Sequence, residues 1–245
     1  MKRQSGYILV FVLITILALA SMIGYLRVLG YQEIKLVKTI KNDHEAYLNL
    51  SALALYSFKK ALERQEEGED FSKFTLKTDY GILRVEFSSE NELLDLNQAN
   101  GEAMQNLFLS MGIEEERAQI MADSLIDWRD SDSDHHLNGA EKEYYQDLGY
   151  TPRNGPLKTL EEVVLVRGFD SYLFWVKPGL YQKVTIFGGK KDLFNTPEKE
   201  FRLTTGGTYR LSLRYQYKGK SYHYLEIFRL EGASPVVLYQ RVLPE

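Results

Sequence analysis

The densest chemistry in this 245-residue sequence lies in the run Asp127-Trp128-Arg129-Asp130-Ser131-Asp132-Ser133-Asp134-His135-His136-Leu137-Asn138-Gly139-Ala140-Glu141. It holds five carboxylates within fifteen residues, and these repel one another unless water or a cation screens them. Counted from Asp130, carboxylates fall at positions 1, 3, 5 and 12 of a twelve-residue window. A calcium loop supplies oxygen ligands and a closing glutamate at that spacing. His136 at position 7 would offer its backbone carbonyl, and Asn138 at position 9 its amide or a water. His135 stands where the pattern has glycine, and histidine enters positive φ less readily. The candidate metal ligands are Asp127, Asp130, Asp132, Asp134, Asn138 and Glu141. Hard oxygens select Ca²⁺ or Mg²⁺, and a flexible carboxylate-rich loop suits a structural Ca²⁺. Zinc on His135 and His136 is a weaker fit, because adjacent histidines in an extended segment point to opposite sides and cysteine is absent. A solvated acidic turn is the alternative.

Little else is reactive. Without cysteine there are no disulfides, thiol nucleophiles or thiolate metal sites. No G-x-S-x-G, G-x-x-x-x-G-K-[ST] or G-x-G-x-x-G occurs, and Gly188-Gly189 and Gly206-Gly207 read as turns. The formal charge of −4 disfavours a generally basic nucleic-acid binder. An enzyme is not expected.

The elements that must position the loop can be read from periodicity. Lys2 and Arg3 precede residues 7–26, which carry no charge. Twenty such residues span a bilayer's hydrocarbon core, and the flanking cations favour a cytoplasmic N-terminus. Ala18-Leu19-Ala20 could be read by a signal peptidase, but apolar residues continue beyond it, so an anchor is expected. A helical pattern then runs on to residue 67, with Ile34, Val37, Ile40, His44, Tyr47, Leu48, Leu55, Phe58 and Leu62 as its apolar stripe. His44 on that stripe reads as a core or boundary histidine. Glu66-Glu67-Gly68-Glu69-Asp70 breaks the helix, and residues 71–77 and 82–88 flank an Asp79-Tyr80-Gly81 turn as a hairpin. Residues 97–180 have helical composition. Residues 183–187, 209–217, 221–230 and 236–242 read as strands, with Tyr209, Leu211, Leu213, Tyr215 and Tyr217 alternating as one sheet face. The expected fold is α+β: a long N-terminal helix (7–67, of which 27–67 is an amphipathic spine) packed on an antiparallel sheet. The sheet would come from residues 68–92 and 183–245, with a helical domain, 93–182, inserted between.

With these features the chain resembles the K-type minor pseudopilins of bacterial type II secretion systems. Residues 1–6 resemble a prepilin leader, which implies cleavage after Gly6 by prepilin peptidase and methylation of Tyr7. Phe11 stands fifth after that cut, where ordinary pilins carry a glutamate that K-type members lack. The helical part of the resemblance rests on Asp127-Trp128, Asp130, Asp132, Asn138-Gly139-Ala140-Glu141, Tyr144-Tyr145, Arg153-Asn154-Gly155-Pro156-Leu157 and Leu160-Glu161-Glu162-Val163. The family's helical domain is usually larger than the roughly 85 residues present here. The resemblance implies a single-pass inner-membrane protein with a periplasmic C-terminal domain that caps and helps initiate a pseudopilus. Its implied partners are the I-type and J-type minor pseudopilins and the major pseudopilin. Alternatives are a minor pilin of a type IV pilus-like machine and a membrane-tethered helix–hairpin–helix DNA-binding protein. The second would need paired glycines and a basic surface that the acidic helical segment lacks.

Overall fold

The computed structural model describes residues 4–78, 81–176, 178–193, 201–217 and 220–243. The first helix, α1 (Gln4–Glu67), is continuous, and the chain divides within it into two units, Met1–Ser51 and Ala52–Glu245. In the first unit Leu9, Phe11, Leu13, Ile16, Leu19 and Ile23 are exposed apolar side chains. The helix is long and apolar enough to cross a membrane. Thr15 and Ser21 donate their hydroxyls to the carbonyls of Val12 and Leu17, both at 2.8 Å, so these polar groups are satisfied within the helix.

In the second unit α1 ends in a glycine cap. Gly68 takes φ +75°, its N–H donates to Gln65 O, and the Glu69 N–H donates to Arg64 O. Strands β1 (Lys73–Thr78) and β2 (Gly81–Ser89) form an antiparallel hairpin. After β3 (Leu94–Asp95) come the helices α2 (Gly101–Ser110), α3 (Glu115–Arg129), α4 (Lys142–Gln146) and α5 (Ser171–Trp175), followed by β4 (Val184–Thr185). Strands β5 (Thr208–Tyr217), β6 (Lys220–Glu231) and β7 (Ser234–Leu243) complete a five-stranded antiparallel sheet in the order β1-β2-β5-β6-β7.

Period-two alternation separates the faces of this sheet. Tyr215, Leu213 and Leu211 pair with Leu83, Val85 and Phe87, and all six are buried. Phe228 on β6 stacks edge-on against Phe58 of α1 at 5.4 Å. The buried positions of this part of α1 are Ala54, Ser57, Phe58 and Ala61, whereas Leu55 and Tyr56 face solvent. Ile34, Val37, Ile40 and Leu48 are exposed as well, and so is His44, which is therefore no core histidine. Within the second unit the expected stripe holds at Phe58 and fails at Leu55, where Ala54 is buried instead. The sheet presents large aromatic and leucine side chains, and the helix meets them with Ala54, Ser57 and Ala61 around the single large ring of Phe58.

The opposite face is covered at one end by the insert between β2 and β5. Leu225, Ile227 and Leu243 belong to the same buried cluster as Met104, Phe108, Met121, Leu125 and Trp175. At the insert's root β3 and β4 pair in parallel, Leu94 with Val184 and Asp95 with Thr185. Arg210, buried on β5, pins this root. Its Nε donates to Glu90 Oε1 at 2.5 Å, and its other nitrogens reach the Tyr181 and Val184 carbonyls. The insert is less helical than its composition suggests. Beyond α3 it is mainly loops and short 3₁₀ turns around α4 and α5, and the strand expected at 183–187 shrinks to the two residues of β4. The leader's first three residues, Asp79-Tyr80 and Asn195-Thr196-Pro197 lie outside the described residues.

Candidate metal centre

The acidic run begins on the last turn of α3. Asp123 and Asp127 lie four residues apart on one helix face, and Asp130 is the residue that caps α3 at its C-terminus. Asp127 is completely buried. Its Oδ1 lies 2.5 Å from His136 Nδ1, and the backbone N–H of His136 donates to both Asp127 oxygens at 3.1 and 3.2 Å. Ligand atoms of Asp127, Asp130 and His136 lie within 4.8 Å of one another. The chain then folds back so closely that a Cβ on Gly139 would stand 1.8 Å from Asp127 Oδ2. Glu141, at the start of α4, is 3 % exposed, yet it makes no capping hydrogen bond.

The polar atoms here are not paired as buried groups normally are. Both carboxylate oxygens of Glu141 and Oδ1 of Asp130 are buried without a hydrogen-bond partner among the described residues. Burial, and then the neighbouring charges of Asp127 and Asp130, push the Glu141 carboxyl above its ordinary pKa. Burial also raises Asp130, helped by Asp132 and Asp127. The hydrogen bond to Asp127 raises the His136 imidazole. Anionic oxygens gathered out of water without donors are costly unless a cation joins them. Their chemistry suits a hard divalent ion.

The remaining candidates are placed differently. Asp132 Oδ1 accepts the Asp134 N–H at 3.0 Å in an exposed turn. Asn138 donates its backbone and side-chain N–H groups to Asp123 Oδ2, both at 3.2 Å. The His136 carbonyl accepts the Gly139 N–H at 2.9 Å. The structure thus brings together Asp127, Asp130 and the His136 ring, sets the buried Glu141 where the charges of Asp127 and Asp130 act on it, and leaves Asp132 and Asp134 on the outer turn.

Sequence reasoning missed the braces. Asp123 was detectable four residues before Asp127. Asn154, the one non-glycine at positive φ among the described residues (+48°), donates from Nδ2 to Asp132 O at 2.9 Å. Arg167 donates to Gly139 O at 2.9 Å. Trp128 packs beneath the loop against Tyr145, edge to face at 5.1 Å. Asn154 stood in a run that carries the family resemblance, but no local signal gave its role or that of Arg167, because both act across the fold.

A long N-terminal helix, an antiparallel sheet and a helical insert on the sheet's outer face together define a pilin-like α+β protein. A chain in the crystal structure of the GspK–GspI–GspJ complex from the enterotoxigenic Escherichia coli type 2 secretion system has this fold. It matches with a TM-score of 0.59 and 15 % identity over 84 % of this chain and 98 % of that one. Residues 46–175 match the model of the family described as type II secretion system (T2SS), protein K, and the chain belongs to that family. Type II secretion system protein K of Klebsiella pneumoniae is 40 % identical over 70 residues, 28 % of this chain. The match spans 22 % of the length of that relative.

Proposed function

We propose that the protein is a minor pseudopilin that caps and helps initiate the periplasmic pseudopilus of a type II secretion system, with structural calcium in its insert. The observation that carries the reading is the family match across residues 46–175, which takes in the end of the spine and most of the insert. Residues 7–26 would anchor it in the inner membrane, with the domain from residue 52 onward in the periplasm. Prepilin peptidase would cut between Gly6 and Tyr7, leaving a methylated Tyr7. The relative of the same fold was crystallised with GspI and GspJ, which supports I-type and J-type partners here, with the major pseudopilin below them. Phe11 supports a tip position. A buried glutamate at that place would need a positive partner from a subunit ahead, and a phenylalanine needs none.

Asp127, Asp130 and Glu141 would hold the calcium, with Asp132, Asp134 and Asn138 as further oxygen donors. The ion would neutralise carboxylates that otherwise repel, and the protein's part is to hold them in place through Gly139, His136 and Asn154.

Intact mass and N-terminal sequencing of the protein from its native membranes test the assignment. A methylated Tyr7 start is expected, and a start at Met1 or Ser21 overturns the pseudopilin reading. For the ion, the melting temperature of the full chain in detergent should be higher in calcium than in chelator, because a ligand of the folded state stabilises by mass action. Asp130→Ala with Glu141→Ala should abolish the difference. A double variant that still responds to calcium refutes the ligand assignment.

A further inference from the structure

The insert covers only the β6–β7 end of the sheet's outer face, and toward β1 that face is open. Thr75, Arg84, Arg214 and His223 form one cross-strand row there. Lys73, Glu86 and Ser212 form the next row. Arg84 and Arg214 stand directly opposite each other, and both are exposed. Like charges in direct cross-strand register destabilise a sheet. The carboxylate in reach, Glu86, is taken by Lys73 at 2.8 Å. Among the described residues no ion pair or hydrogen bond engages either guanidinium. With Lys73 and Lys77, four cations share this face with one carboxylate, in a chain whose net charge is −4. His223 does not add to them, because burial and Arg214 hold its pKa down to about 4.

An oxyanion between two guanidinia turns that repulsion into charge-assisted hydrogen bonds. The shape of the surface indicates the anion's carrier. The arginine pair stands between two open depressions, one lined by Lys73, Thr75, Glu86 and Ser212, the other by Ile82, Gln216 and Ser221. From Glu86 to Ile82 the trough runs about 13 Å, at about 3.3 Å per strand residue. A lone phosphate would fill only its middle. A nucleic acid needs a longer cationic track than this face offers. An extended peptide of four or five residues fits, with one carboxylate at the centre and an apolar neighbour against Ile82, which is 56 % exposed.

We propose that the Arg84–Arg214 pair is a docking site for an acidic, extended segment of a partner protein. Arginine pairs recognise acidic motifs in this way. The site does not depend on the metal centre or on the pseudopilin assignment.

The test uses the full chain in a non-ionic detergent. The probe is a fluorescein-labelled octapeptide of alternating Glu and Val, read by anisotropy at low salt. The wild type should bind it and should ignore the Lys–Val counterpart. Arg84→Gln and Arg214→Gln should each weaken binding at least tenfold, with circular dichroism unchanged and the melting temperature equal or higher. Affinity should fall as salt rises from 50 to 300 mM. Arg84→Glu with Arg214→Glu should reverse the preference toward the Lys–Val peptide. Equal binding by wild type and the double glutamine variant overturns the proposal. Complete displacement by millimolar inorganic phosphate would make it a small-anion site, and equal affinity for a single-stranded oligonucleotide a general polyanion surface. Either result also overturns it.

Discussion

Gly139 shows how one residue constrains the candidate metal centre. Its backbone passes so close to the Asp127 carboxylate that a methyl group has no room, at 1.8 Å from Oδ2. Gly139→Ala should displace either the loop or Asp127. Overpacking of this kind costs about 1–3 kcal/mol, and the variant should also lose its calcium-dependent rise in melting temperature. Differential scanning fluorimetry with calcium and with chelator measures both. An alanine variant with an unchanged calcium response would place the ion elsewhere. Spacing pointed to Asp130, Asp132, Asp134 and Glu141 alike, because a loop that supplies ligands must repeat its donors at short intervals, and it could not tell that Asp132 and Asp134 stay on an exposed turn. The shape of the loop was not legible. His136 binds Asp127 through its ring, Asn138 turns to Asp123, and Asn154 reaches in from 22 residues away. Such contacts depend on tertiary folding, and local spacing carries no trace of them.

Among the elements, the root of the insert is fastened to the sheet by a buried ion pair. Arg210 and Glu90 are 5 % and 0 % exposed, and Arg210 also satisfies two carbonyls at the insert's root. Removing one partner strands the other charge, so Arg210→Ala should destabilise the protein by about 3–5 kcal/mol. Arg210→Met with Glu90→Leu should recover part of that loss, because two apolar groups leave no charge stranded. Urea denaturation of the three proteins checks this, and a double variant no more stable than the single one contradicts it. Most elements were readable in advance. Alternation marked β5, strand-like runs marked β6 and β7, and the Glu66–Asp70 stretch marked the end of α1. The buried side of α1 was readable at Phe58 but not around it. Apolar residues ring the helix, and the pattern favoured Leu55 where the fold buries Ala54. The sheet's bulky surface decides that, and it favours the smaller residue.

For the molecule as a whole, acid should be destabilising in a defined window. His223, half-buried between the sheet and the insert, shares a 2.8 Å hydrogen bond with Ser212. Burial and Arg214 lower its pKa from 6.5 to about 4. The unfolded chain therefore takes up a proton first, near pH 6.5. Stability is lost as the pH falls from there to about 4, and the loss then levels off, at about 2 kcal/mol after allowance for partial solvent exposure. Glu226 acts in the opposite direction, since burial raises its pKa and acid relieves its charge. Comparing His223→Gln with the wild type by urea denaturation across this range isolates the histidine, and parallel curves would rule out its role.

The parallel pairing of β3 with β4 has a consequence for how this architecture can vary. The chain enters and leaves the insert on adjacent strands, which lie about 4.8 Å apart. Everything from Leu96 to Lys183 is thus a loop whose two ends are already joined. Its length can change without altering the register of any sheet strand, since no strand pairing of the sheet depends on it. The root behaves as a socket, so relatives could carry modules of different size on an unchanged plug.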